Sequence, residues 1–182
     1  QTREYSECMI TSKNARNLLN FILFQTGWLA CVLYPGLATV GLILVFLGLH
    51  LALVSQQRFS ELQFIGFGVV LGGLMDTFWF RTGVLALDSG EEVLAAPPWL
   101  IAIWAIFMTT LCHSLGWIGQ RQWLPWALAP IAGPFAYWSA SQLGIVALPD
   151  LTVSLVAMAV GWFVLFPLLL FIRKALYTEL ET

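Results

Sequence analysis

From position 37 to 54 the chain reads LATVGLILVFLGLHLALV, eighteen residues without an Asp, Glu, Lys or Arg. About 20 apolar residues in a helix cross the ~30 Å of a bilayer's hydrocarbon, so a run of this kind constrains the fold more than any single motif. Comparable runs recur along the sequence, and they are continuous rather than alternating. That pattern favours helices over the strands of a closed barrel, the other structure that satisfies its own backbone in lipid. Composition agrees: 59% of residues are hydrophobic and 10% are charged, where a soluble domain carries about 25% charged residues.

The expected fold is an all-α membrane protein, a bundle of six transmembrane helices over about 17–34, 37–54, 62–83, 99–118, 123–146 and 151–172. Tails at 1–16 and 173–182 flank it. Arg3, Lys13, Arg16, Arg58, Arg121, Arg173 and Lys174 then fall at one end of the bundle. The opposite connections carry Asp88, Glu91, Glu92 and Asp150 and no Lys or Arg. Basic residues gather on the cytoplasmic side of inner-membrane proteins, so both termini are expected there. Arg81 breaks the segregation and reads as an anchor whose long stem reaches the outer interface. Trp99, Trp117, Trp123 and Trp126 fall near predicted helix ends, where indoles favour the headgroup layer. The first apolar run ends without an A-x-A-like site, which argues against a cleaved leader. No basic cluster or nucleic-acid motif is present, so nucleic acid is not an expected partner. Cys8, Cys31 and Cys112 are scattered without C-x-x-C spacing, which indicates neither a disulfide framework nor a metal site.

The third apolar run contains GGLMDTFWFRTG at 72–83. Gly68, Gly72 and Asp76 are four apart and share one helical face. Small residues at that spacing admit a neighbouring helix closely, so Asp76 belongs on a packed seam rather than in lipid. Counting about 1.5 Å per residue from Phe64 places it about 18 Å deep. A carboxylate there costs roughly 2.5–3.5 kcal/mol on insertion scales and demands partners. Gly133, Tyr137, Ser141 and Gly144 form a small-and-polar face on span five, with Tyr137 at a similar depth. Pro130 and Pro134 free carbonyls in the same helix. Asp76, Tyr137, Ser141 and Gln142 are thus the first candidate ligand-binding or proton-relay residues, the plainer alternative being a buried hydrogen-bond knot. Asn20, Gln25, His50 and His113 form a second polar set nearer the cytoplasmic end, with His113 on a Thr109, Cys112, His113, Gly116 face. Interior histidines can relay protons. Without H-x-x-H or E-x-x-H spacing they give no specific sign of a metal, and no cofactor is implied. Neighbours on a helix point about 100° apart, which discounts Cys112 and His113 as a nucleophile–base pair.

NFILFQTGWLACV at 20–32, PPWLIAIWAIFMTTLCHSLGW at 97–117 and GPFAYWSASQLGIV at 133–146 together resemble a family of small polytopic inner-membrane proteins of proteobacteria, classed as a domain of unknown function. The resemblance spans nearly the whole chain. It implies a bacterial inner-membrane location and a role near the metabolism of membrane fatty acids, and it supplies no catalytic residues.

Three functions fit these residues. The first is binding or movement of a small lipophilic or lipid-derived molecule through a polar pocket at Asp76. The second is an accessory or assembly subunit, docking partner subunits through small-residue faces such as Ala157 and Gly161. The third is a lipid-modifying enzyme using Asp76 with Tyr137, or His50 with His113, as acid–base groups. Nothing in the spacing demands catalysis, and membrane lipids are the expected surroundings in each case.

Overall fold

The computed structural model describes residues 10–181, so Arg3, Cys8 and the start of the N-terminal tail lie outside the described residues. Among these the protein is built of six α-helices: α1 (Lys13–Leu33), α2 (Leu37–Leu53), α3 (Arg58–Thr82), α4 (Pro98–Thr110), α5 (Leu124–Gln142) and α6 (Leu151–Leu176). A short antiparallel pair, β1 (Ala86–Leu87) and β2 (Val146–Ala147), joins the connection after α3 to the connection after α5.

Local chemistry sets several boundaries. Ser12 caps α1 by accepting from the Ala15 N–H, and Asp150 caps α6 by accepting from the Val153 N–H at 3.0 Å. Each side chain satisfies a donor the helix cannot reach. Pro98 opens α4, where a missing N–H costs nothing. Gly83 closes α3 at φ 75°, a left-handed conformation that favours glycine.

Two helices, α3 and α6, are long and apolar enough to cross a membrane; α2 and α4 are shorter apolar helices. Six helices are present as expected, but length and composition support a crossing for two of them. The physical reason is plainest in α4, whose 13 residues reach about 20 Å, short of the ~30 Å of hydrocarbon. Beyond Thr110 the chain turns and then forms a 3-10 helix, Gly116–Gln120, where a continuous span to 118 is expected from sequence. The C-terminal carbonyl of Leu111 is not left bare. Arg173 of α6 donates to it, a cation at the negative end of α4. Arg173 is accordingly buried and is not an exposed member of the basic end.

Helix α4 packs against α1, α2 and α3, while α6 packs against α3 and α5. Glycines set the closest approaches. A Cβ at Gly72 would overlap the Trp104 indole, one at Gly68 would overlap Met108, and one at Gly133 would overlap Trp162. Gly161 faces Met75 and Trp79 of α3. Gly161 is thus packed within the bundle, against α3. Large apolar side chains stay exposed around the outside, among them Leu18 on α1, Leu44 on α2, Val70 on α3, Ile131 on α5 and Val160 on α6.

Gly72→Ala is expected to lower stability by about 1–3 kcal/mol, because overpacking forces Trp104 to shift. Gly66→Ala, on the same helix but facing open space, is expected to be neutral or stabilising by up to about 1 kcal/mol. Unfolding of the two variants in a series of increasingly harsh detergent mixtures measures the contrast.

Candidate functional site

Asp76 is completely buried on α3, and both of its oxygens are engaged. The Trp104 indole N–H donates to Oδ2 at 2.7 Å, and the Tyr137 hydroxyl donates to Oδ1. Sequence depth brings Asp76 and Tyr137 to one level, and the fold joins them. Trp104 comes from α4, which the sequence reading left out of the site. Ser141 does not join: its hydroxyl donates to the Trp138 carbonyl of its own helix. Gln142, the last residue of α5, is exposed and makes no hydrogen bond to Asp76. Arg81 does not reach Asp76 either, because its Nε donates to the Leu94 carbonyl at 2.8 Å.

Trp104 and Tyr137 form part of the wall of a cleft of about 300 Å³ between α1, α4, α5 and α6. Its base is aromatic. The Trp104 and Trp162 rings stack with centroids 5.2 Å apart and planes 16° from parallel, and Phe107 meets both edge-on. On α5 the lining is Leu128, Ala129, Ala132, Gly133, Ala136, Tyr137 and Ala140, small side chains apart from one leucine and one phenol. The small residues leave the space, and the buried Pro134 lies in the same turn. Gln25 lines this cleft instead of meeting the histidines, and Trp99 is buried along it rather than serving as an interfacial anchor. Asp76 itself does not line the cleft. It lies behind Tyr137 and Trp104 and accepts a hydrogen bond from each.

The second polar set is drawn together by a residue the sequence reading passed over, Glu61. His50 Nε2 lies 2.5 Å from Glu61 Oε1, and His113 Nε2 lies 3.0 and 3.1 Å from its two oxygens. Glu61 and His50 are buried, while His113 is partly exposed. Glu61 was legible in principle. Extending the Asp76, Gly72, Gly68 face by one heptad reaches position 61, but the expected span starts at 62 and the helix starts a turn earlier, at Arg58. Cys112 and His113 follow the end of α4, so the helical face assigned to Thr109, Cys112, His113 and Gly116 does not exist.

Asn20 sets the state of His50. Its Oδ1 accepts from the backbone N–H of Ser114 at 3.2 Å and from the Ser114 hydroxyl at 2.6 Å. A backbone N–H can only donate, so the amide orientation is fixed. Asn20 Nδ2 consequently donates to Thr109 Oγ1 at 2.9 Å and faces His50 Nδ1 at 3.4 Å. Facing a donor, Nδ1 must accept, which leaves the proton of neutral His50 on Nε2, aimed at Glu61.

Glu61, Cys112 and His113 also line a smaller polar cleft of about 90 Å³, together with Asn17, Lys13 and Arg16. Glu179 closes one side of it, tied to α3 by the Ser60 hydroxyl, which holds the Glu179 carboxyl below its ordinary pKa. His50, Glu61 and His113 present three donor atoms within 4.8 Å of one another, a set able to hold a metal ion.

Tyr137→Phe is expected to cost about 1–3 kcal/mol by leaving one carboxyl oxygen of Asp76 without its donor. Combined with Asp76→Asn, the loss is expected to be less than additive, because both changes act on one bond. A double-mutant cycle of unfolding free energies in detergent measures the coupling.

No curated protein and no solved structure matches the chain. Over residues 17–168, which include both polar clusters and every residue lining the larger cleft, it matches the family described as "Protein of unknown function (DUF2878)", and it belongs to that family.

Proposed function

We propose that this protein is a membrane-embedded helical bundle that binds a small lipophilic or lipid-derived molecule in the aromatic cleft, with Tyr137 as the polar anchor. The cleft carries this reading. At about 300 Å³ it lies at the small end of ligand pockets, and it has the expected character of apolar walls with few convergent polar groups. Trp104, Phe107, Trp162 and Phe166 offer ring faces and edges to a hydrocarbon or an unsaturated chain. The Tyr137 hydroxyl, already donating to Asp76, keeps an acceptor lone pair for a ligand hydroxyl or acid proton.

The exposed apolar residues on α1, α2, α3, α5 and α6 support embedding in lipid, since soluble monomers rarely leave such broad apolar patches uncovered. On this reading the shorter helices cross with the help of neighbours and locally thinned lipid. The end bearing Lys13, Arg16, Arg58, Arg121 and Lys174 faces the cytoplasm of a bacterial inner membrane. The end with the β1–β2 pair faces away, and a ligand enters the cleft sideways between α1 and α5.

Ala136 lines the cleft, so Ala136→Phe is expected to fill it and to reduce retention of copurifying lipophilic molecules at least tenfold while the bundle stays folded. Asp76→Asn is expected to fold and to weaken retention through Tyr137. Mass spectrometry of the protein purified in native lipid particles reads both. An unaltered set of copurifying molecules in folded Ala136→Phe protein removes the reading.

A further inference from the structure

We propose that His50, Glu61 and His113 form a binding site for one divalent transition-metal ion, of the zinc or ferrous type, at the basic end of the bundle. The chain contains two histidines. They sit on α2 and on the turn after α4, yet both direct Nε2 at one carboxylate on α3. Their rings lie edge to face with centroids 4.9 Å apart. Two imidazoles and one carboxylate suit zinc or ferrous iron and disfavour calcium and magnesium, which select oxygen donors.

The distances to Glu61 are close to what a metal needs, and all three donor atoms lie within 4.8 Å of one another. Donors around a tetrahedral ion bound at about 2.0–2.1 Å lie about 3.3 Å apart. The His113 distances of 3.0 and 3.1 Å nearly meet this, and the 2.5 Å His50 contact needs to open by less than about 1 Å. Three protein donors leave coordination open, and the polar cleft of about 90 Å³ lies on the Glu61 and His113 side, where water or a ligand group can complete the shell.

The surroundings of His50 give a distinctive signature. A metal on Nε2 requires the proton to move to Nδ1, which then needs an acceptor. Asn20 Nδ2 faces that atom in the metal-free network. Metal binding therefore switches the His50 tautomer and turns over the Asn20 amide, at the expense of the Ser114 N–H bond and of the Asn20 donation to Thr109. Asn20→Asp removes the conflict, because a carboxylate accepts from Ser114 and from His50 Nδ1 together.

The test uses the full chain purified in detergent through a histidine-free tag and labelled with [15N]histidine, which then gives signals from two residues. Zinc is added to one equivalent, and cobalt is used in parallel for its visible ligand-field bands. Saturation near one ion per chain is expected, with His50 passing from the Nε2–H to the Nδ1–H tautomer. Affinity is expected to fall by more than tenfold in Glu61→Gln and in His113→Ala, and to rise about tenfold in Asn20→Asp. Near-ultraviolet circular dichroism of the Trp104–Trp162 stack reports that the variants are folded. If Glu61→Gln does not fold, His113→Ala and the tautomer switch of the unaltered chain still decide. Histidine signals unmoved by zinc, or metal content equal in unaltered and His113→Ala protein, overturns the proposal.

Discussion

Trp104 lies against the bare backbone of Gly72, and that contact fixes how near α4 stands to α3. A side chain at position 72 would push the indole outward and withdraw its N–H from Asp76. Much else depends on the same closeness. The Trp104 ring forms one wall of the cleft and stacks on Trp162 of α6, which in turn lies over Gly133 of α5. Two glycines and two tryptophans thus tie four helices into one layer. An indole adds a large apolar area with two side-chain torsions to fix, and its N–H needs a partner once buried. Asp76 supplies that partner for Trp104, so a residue that looks costly in an apolar bundle satisfies one of the two stacked indoles.

The same face of α3 serves both polar clusters. Asp76 and Glu61 are fifteen residues apart, about 22 Å along the axis, with Gly72, Gly68 and Ile65 between them, all buried. The glycines admit α4 along the whole seam. At one end that seam delivers Trp104 to Asp76, and at the other it delivers Thr109, His113 and Ser114 to the Asn20–His50–Glu61 chain. The early end of α4 contributes here as well. Had the helix run on past Thr110, His113 and Ser114 would have kept helical spacing. The turn lets His113 reach Glu61 while the Ser114 N–H, freed from a helical ladder, holds Asn20.

The helical class, the Asp76 seam and the shared depth of Asp76 and Tyr137 were legible in the sequence, because period and rise per residue are properties of a single helix. What was not legible required knowing which helices touch. Trp104 reads as one tryptophan among nine, and only the α3–α4 contact makes it a ligand of Asp76. Ser141 shares a face with Tyr137 but satisfies itself within one turn of its own helix, a competition that spacing cannot reveal. Glu61 escaped for a different reason. Hydropathy places the start of a span where polarity drops, whereas the helix begins earlier, so a buried carboxylate in its first turn looks like a loop residue. The end of α4 was hidden in the same way, since MTTLCHSLGW is apolar enough to continue a helix.

The division of chemistry between the two ends follows from what each cluster can reach. Asp76 is walled off by the two groups it holds, so changes there act on the cleft through Tyr137 and Trp104. Glu61 and His113 instead open onto a polar cleft edged by Lys13 and Arg16. With about 22 Å of packed helix between them and no residue in common, substitutions at one end are expected to leave the energetics of the other nearly unchanged. Two elements are shared: α3, which carries both carboxylates, and α4, whose Trp104 and Thr109 serve different clusters and are five residues apart. A rigid displacement of α4 is consequently the single motion that would loosen Trp104 from Asp76 and Thr109 from Asn20 together. Arg173, holding the last carbonyl of α4 from α6, is placed to resist it.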